Sequence, residues 1–548
     1  VSLKRVSEQN TFDFIIVGAG SAGCILANRL SECSKFSVLL LEDGGSNKSP
    51  WIKIPAGFAK TYYSTKHNYC YYTEPQAQML NRKIYAPRGR GLGGSGAINA
   101  MVYVRGHRND FDDWQKAGAA GWGFDDVLPY FKKIESHPLG NNFYHSSEGN
   151  IGITNMQKEA HPTCQKFLEA CVESGMNINE DFNGEKLCGA GIYEANIGNG
   201  QRSSSASTYL EKAKNRKNLV IKTHTRVKQV LFENNQAVGV IAIRNGQQIR
   251  YRASKEVVLS AGAIDSPKLL QLSGVGEGTE LKKLGIKIVK NLPAVGQNLQ
   301  DHVCGGFIFE TKVKTLNDDL KGFYNKAKLG AKYVFSRRGP LSVSVNQAGG
   351  FVNTKSQVPK PNIQLYFNPL SYTNDPNAKG IVKPLPHSGV MLSYSPCRPK
   401  SRGSIALSDA NYLSSAKIQP NYLSADEDVV DVIEGAKFVT KLSQSLAFGG
   451  IVTDSVSNDL SHKSDENLLQ QFKEQGGSIY HLCGSCAMGD NDKRSVVSPS
   501  LKVHGLKGLR VIDASIFPNI VSGNINAATM MVAEKGAMHI MQDYNKSS

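Results

Sequence analysis

No stretch of the 548-residue chain approaches the roughly 18 consecutive apolar residues of a membrane-spanning helix, so a soluble or peripheral protein is expected. Cysteine is scarce. Ten residues at irregular spacing make no disulfide framework and fit reduced thiols in a cytoplasmic setting. Only Cys483 and Cys486 stand in C-x-x-C spacing; zinc would need a second pair, which leaves a redox dithiol or two small residues in a tight turn. Basic clusters such as Lys212-Ala-Lys214-Asn-Arg216-Lys217 lack interleaved aromatics, which argues against nucleic acid as a partner. The opening VSLKRVSEQN has no apolar segment of the secretory kind, and a chain that opens without Met is expected to have lost a preceding piece. Internal repeats and low-complexity tracts are also missing.

What is present begins with charge. A net +17 favours anionic surroundings, so peripheral contact with acidic lipid is expected. At this length two or more domains are needed to bury the apolar residues.

The organising stretch is Phe12 to Gly45. Phe14-Ile-Ile-Val17 is an apolar run without helical spacing, as in a parallel strand buried on both faces. Gly18, Gly20 and Gly23 follow in G-x-G-x-x-G spacing. Gly18 makes the turn, Gly20 lets backbone approach a pyrophosphate, and Gly23 lets the next helix pack closely on the sheet. A second strand, Val38 to Leu41, ends at Glu42, which is placed to accept hydrogen bonds from a ribose. The pattern reads as a dinucleotide cradle and leaves NAD and FAD both open. Downstream, Pro87 to Arg105 carries Gly89, Gly91, Gly93, Gly94 and Gly96, a run that frees backbone N–H groups to meet a ligand.

The Tyr-rich Thr61 to Gln76 is expected to form a loop or lid. Trp122 to Lys133 reads as a packing helix, and Asn141 to Gly152 as a turn leaving the first domain. Asn218 to Leu259 returns to strands, and Ser266-Pro267 is expected to open a helix over Lys268 to Leu272. Between about Val303 and Ser478 short alternating strands dominate, closed by helices near Asp426–Ala447 and Asp465–Gln475. A last strand at Leu509 to Asp513 and a helix over Asn526 to Gln542 complete the chain.

The cradle, the loop Gly89 to Asn99, the segment Gly262 to Gly276, and the C-terminal Tyr480-His481, Asp513-Ala514-Ser515 and Ser522-Gly-Asn-Ile-Asn526 occur in an order that resembles the glucose-methanol-choline (GMC) family of FAD-dependent oxidoreductases. The similarity covers essentially the whole chain and is nearest to the bacterial choline and alkanol dehydrogenase branch. It implies an α/β fold in which a Rossmann-like FAD domain (1–145, 215–305 and 479–548) carries an inserted substrate domain (146–214 and 306–478) built on a mostly antiparallel sheet flanked by helices. By matching motif, Gly18, Gly20, Ser21, Gly23 and Glu42 take the ADP half, Val227 the adenine, and Gly94, Ser95, Asn99, Ala100, Met101 and Val102 the flavin. Ala261, Asp513 and Ala514 are further cofactor contacts, with Asp513 and Ala514 at the ribityl and pyrophosphate region. Asn526 opens a helix whose positive end faces the reduced flavin.

The resemblance implies oxidation of a primary alcohol to an aldehyde, His481 acting as base and Asn524 holding the substrate oxygen while hydride passes to flavin N5. Electrons then leave to a quinone, another acceptor or oxygen. A lyase or decarboxylase on the same fold, a non-catalytic flavoprotein, and an NAD-dependent dehydrogenase are the alternatives. The family's Tyr-His-Pro-x-Gly-Thr reads Tyr480-His481-Leu482-Cys483-Gly484-Ser485 here, which bears on the backbone beside the base. Ile98 stands where some choline oxidases bind FAD covalently through a histidine, so non-covalent FAD is expected. Gln347 aligns with a glutamate of choline dehydrogenases; without that charge, choline is not expected to be the main substrate. Phe367 and the tyrosines between Tyr62 and Tyr72 are expected to line a pocket for a neutral alcohol.

Overall fold

The computed structural model describes residues 10–355, 360–373, 382–453 and 459–545. The opening segment lies, except for Asn10, outside them. Two sheets organise the chain, and the mixed α/β architecture follows the expected class.

The first sheet has seven strands. Thr11–Val17 pairs in parallel with Val38–Leu41 on one side and with the long strand Gln247–Leu259 on the other. Leu219–Lys222 extends the first side. The 13-residue strand Gln247–Leu259 changes partners along its length. Its first half pairs antiparallel with Gln236–Arg244, and its last residues, Val257 to Leu259, lie parallel to Leu509–Val511. The parallel strands therefore end together at Val17, Leu41, Leu259 and Val511, the edge where open α/β sheets bind ligands. Phe14, Ile15 and Ile16 have no exposed surface, as expected for a strand covered on both faces. The covering helices are Ser21–Leu30 and Asn526–Asn545, clamped by Arg29, which donates to both carboxylate oxygens of Glu534.

The second sheet has six strands, antiparallel throughout, in the order 477–478, 303–310, 389–396, 363–368, 348–352, 189–192. Helices Thr163–Glu173 and Asp426–Ser443 cover one face over a core that includes Phe167, Phe309, Phe367 and Phe448. The other face looks onto the edge of the first sheet.

Several elements depart from the sequence reading. The helix expected from Lys268 spans Gly262–Leu272, with Pro267 inside it. Pro267 has no N–H for the carbonyl of Ala263, and the Ser485 hydroxyl donates to that oxygen instead at 2.5 Å. Tyr209, Leu210 and Ala213, expected with the inserted domain, pack in the core of the first sheet. Val303–Glu310 belongs as a whole to the second sheet.

Candidate active site

A cavity of about 1290 Å³ runs from the glycine turn of the first sheet to the open face of the second. Gly18 has φ +98, and a Cβ there would lie 2.6 Å from the Ser260 carbonyl oxygen. A Cβ on Gly23 would fall 1.9 Å from the carbonyl oxygen of Gly18, so the helix touches the turn only because this residue has no side chain. Gly23 itself stands behind the wall. Gly20, Ser21, Gly94, Ser95, Asn99, Ala100, Met101, Val102, Val227, Ala261, Asp513, Ala514 and Asn526 line the cavity with Gly18 and Glu42.

Glu42 does something the sequence reading left out. Its Oε2 accepts from the Ala19 N–H at 2.8 Å, and its Oε1 from Gly44 at 2.8 Å and Gly91 at 3.0 Å. The carboxylate thus ties the glycine turn, the end of the second strand and the glycine loop together. Burial raises its pKa, and these N–H groups oppose the shift. Asp513 acts alike: Gly262 N–H and the Ser266 hydroxyl donate to Oδ2, and Ser515 N–H to Oδ1. Ser21 donates to Asn526 Oδ1 at 2.7 Å, which joins the N-termini of the two covering helices at the cavity wall. Asn99 Oδ1 accepts from Arg202, a buried guanidinium whose pKa burial lowers to about 9.

At the other end stands His481. Tyr480 before it has φ +72, a left-handed conformation uncommon for a tyrosine, held by its N–H donating to Ser478 and by Arg88 donating to its carbonyl. The Tyr62 and Tyr480 hydroxyls also hydrogen-bond. This turn presents the imidazole to the cavity. Leu482, where the family pattern has proline, is buried beside Ala86 and Leu299. His481 Nε2 lies 3.2 Å from Asn524 Nδ2, and Asn524 Oδ1 accepts from Gln364, which is held in turn by the Tyr366 hydroxyl.

The other ring nitrogen, Nδ1, is 2.9 Å from Nδ1 of His302. His302 Nε2 is 2.9 Å from the Cys397 carbonyl oxygen. A carbonyl only accepts, so His302 carries its proton on Nε2; burial pushes its pKa down to about 4, and the ring stays neutral with a lone pair on Nδ1. His481 must then donate from Nδ1, which leaves the lone pair of Nε2 facing Asn524 and the cavity. Burial, then His302 and Arg88, hold His481 well below the usual histidine pKa. Asp301, neighbour of His302, accepts the His481 N–H and the Tyr422 hydroxyl.

Two expected substrate residues are elsewhere. Gln347 is buried, its Oε1 accepting from the His161 N–H at 2.7 Å, and Phe367 stacks on Phe167 with centroids 4.9 Å apart in the helix-side core. Strand alternation is the reason: Gln364, Tyr366 and Asn368 share the face toward the cavity, and Phe367 takes the opposite one. Asn346, not Gln347, reaches the wall. The substrate end is formed by Tyr62, Phe307, Val345, Tyr366, Tyr372 and Met391, with the neutral polar Asn346, Asn368 and Ser393 among them. Among the described residues its carboxylates are confined to the cradle side, as Glu42, Asp43, Asp265 and Asp513. Sequence reasoning also missed His302, Arg88 and Gln364. Only Arg88 had a signal, its place in the glycine loop. Cys483 and Cys486 are both free and fully buried, with thiol pKa values pushed up by burial, in a turn that pairs with Gln300 and Ser515.

Residues 12–304 match the family model described as GMC oxidoreductase for its N-terminal part, and residues 399–533 match the C-terminal one. The chain is 39% identical over 98% of its length to "Alcohol dehydrogenase [acceptor]" of Pseudomonas putida, covering 97% of that protein. It is 39% identical to mitochondrial choline dehydrogenase of Homo sapiens over 96% of this chain and 89% of that one. Among solved structures, pyridoxine 4-oxidase from Mesorbium loti superposes with a TM-score of 0.86 at 29% identity, over 97% of this chain and 99% of the other. Formate oxidase of Aspergillus oryzae gives 0.89 at 26%, over 98% and 99%.

Proposed function

The chain belongs to the GMC oxidoreductase family of FAD-dependent enzymes, and on that premise we propose that it oxidises a neutral primary alcohol to its aldehyde. The observation that carries this reading is the lone pair of His481 Nε2, fixed toward the cavity by His302 and set beside the amide of Asn524. The hydroxyl proton passes to that nitrogen as the carbon–oxygen bond becomes a carbonyl, and the Asn524 amide holds the oxygen. The imidazolium so formed keeps its Nδ1–H on the His302 lone pair, which stabilises the charge.

FAD held in the cradle would supply the hydride acceptor for the substrate carbon. The cradle fits such a dinucleotide, because Gly94, where a Cβ would stand 2.7 Å from Gly20 Cα, lets the two glycine loops meet and present bare backbone along one wall of the cavity. Gly18, Gly20 and Ser21 would hold the pyrophosphate at a helix N-terminus. Asn99 to Val102 and Asn526 would flank the flavin, with Val227 at the adenine. Ile98 lines the cavity with no nucleophilic atom, which supports a flavin held without a covalent bond.

A lyase on the same fold would also use a base on a hydroxyl but would leave the flavin oxidised, and the similarity to alcohol and choline dehydrogenases favours oxidation. A neutral substrate is supported by the aromatic and aliphatic wall around Tyr62, Tyr366 and Tyr372 and by the absence of a carboxylate there among the described residues. Electrons then leave to a quinone, another small acceptor or oxygen. The net charge of +17 supports peripheral contact with an anionic membrane, and among the described residues no helix is long and apolar enough to cross one. The test is anaerobic mixing of the holoenzyme with a panel of neutral alcohols. Flavin bleaching is expected; a lyase would leave the flavin oxidised.

A further inference from the structure

Most surface helices turn their apolar stripe inward. The helix Gly322–Ser336 does the reverse. Tyr333 is its one fully buried side chain, whereas Phe323 is 88% exposed, Tyr324 79%, Val334 65% and Phe335 89%. These are not scattered. At 100° per residue, Phe323, Tyr324, Ala327, Ala331, Val334 and Phe335 fall within one arc of about 120°, opposite the side on which Tyr333 packs.

The charge carried by the helix has one sign, although Asp318 and Asp319 lie just before it and Glu159 accepts from the Gly339 N–H just after it. Lys321, Lys326, Lys328, Lys332, Arg337 and Arg338 lie on or beside the helix, and the stretch from Lys321 to Arg338 has no acidic residue. None of the six forms an ion pair among the described residues. Lys328 and Lys332 border the arc on one side and Lys326 on the other.

A second aromatic and basic element shares this side of the molecule. Trp51 is 48% exposed with the Lys60 ammonium 5.9 Å from its ring centre, and the chain from Gly44 to Thr73 has four lysines and no acid. Both elements are fixed to one hairpin: the Tyr333 hydroxyl donates to the Gly200 carbonyl at 2.9 Å, and Arg202 donates to the Ile52 carbonyl at 2.9 Å. The residues that follow, Phe58, Tyr62 and Thr65, line the cavity.

We propose that the helix Gly322–Ser336, with Trp51 beside it, docks the protein on a lipid surface that carries anionic headgroups. Phe323, Tyr324, Val334 and Phe335 enter the boundary between headgroups and acyl chains, while the lysines and arginines stay at the headgroup level. Charge decides against a second copy of this chain as the occupant, because six unpaired cations would then face six more. Docking in this way places the cavity wall at Phe58–Thr65 close to the bilayer, where apolar alcohols and quinones partition. The inference deepens the peripheral contact proposed above by naming its element. It does not need the chemistry to be right, since the test reads binding and turnover separately.

The test is co-sedimentation of the full-length holoenzyme with phosphatidylcholine vesicles, with and without phosphatidylglycerol. Binding is expected only with the anionic lipid and is expected to weaken as salt rises. The double variant Phe323→Ser/Phe335→Ser should lose about tenfold or more in partitioning, with flavin content and alcohol-driven flavin reduction in free solution unchanged. Lys326→Glu/Lys328→Glu/Lys332→Glu should abolish the preference for phosphatidylglycerol. Failure of the wild type to bind anionic vesicles would overturn the proposal, as would a double variant that binds equally well. A wild-type dimer that the double variant converts to monomer would overturn it too, and would assign the face to a second copy.

Discussion

His302 and His481 share a single proton between their Nδ1 atoms, 2.9 Å apart, and the carbonyl of Cys397 decides which ring holds it. Because that carbonyl takes the Nε2 proton of His302, the shared proton belongs to His481 and its Nε2 is free to act as base. On the proposed mechanism His302 would be a positioning residue, acting on the alcohol through His481 alone. His302→Leu should slow alcohol-driven flavin reduction by about 10- to 100-fold, in the range typical of outer partners. His302→Gln, whose side-chain oxygen still accepts from Nδ1, should recover part of the loss. Equal rates in the two variants would mean that His302 only fills space.

The pH profile follows from the direction of the His481 shift. Burial holds its pKa below 6.5, so the ring is neutral, and competent as a base, at all pH values above that. The kcat/KM for anaerobic flavin reduction should be flat from pH 7 upward through the neutral range and fall only on the acid side of 6.5. An acid limb centred above pH 7 would contradict the assignment.

Choline should be a poor substrate compared with a neutral primary alcohol of similar size. The reason is no longer Gln347, which is turned away from the cavity, but a substrate end whose described walls join aromatic and aliphatic side chains to neutral polar ones such as Asn368 and Ser393, without a carboxylate. A tenfold preference for choline in kcat/KM, about 1.4 kcal/mol, would show that a charge or an aromatic cage recognises it after all.

Glu42→Ala should purify poor in flavin and lower in stability. The substitution leaves the N–H groups of Ala19, Gly44 and Gly91 without their acceptor, and one such buried group costs about 1–3 kcal/mol. Thermal unfolding and the flavin-to-protein absorbance ratio check this. A variant that keeps full flavin and wild-type stability would remove Glu42 from the scaffold of the cradle.

Local signals were legible and distant ones were not. The glycine turn between two apolar strands, and the helix Asp465–Gln475, are written in contiguous residues, and the structure reproduces their expected ends except that the first strand starts at Thr11, three residues ahead of Phe14. Gln347 and Phe367 were misplaced because composition names a strand but not which face meets the cavity; pairing register settles that. His302 lies 179 residues before His481, in a polar triplet just ahead of a strand, with no spacing that marks a partner. Glu42 was legible as an acid at a strand end, whereas its grip on Gly91 depends on a loop about fifty residues away.

The central claim, that His481 is the base for alcohol oxidation on bound FAD, is tested most directly by rapid anaerobic mixing of wild type and His481→Ala with a neutral primary alcohol while flavin absorbance is followed. Both proteins should carry the flavin, with the wild type bleaching and the variant slower by about 10²- to 10⁴-fold. Bleaching of the variant at near-wild-type rate would contradict the account.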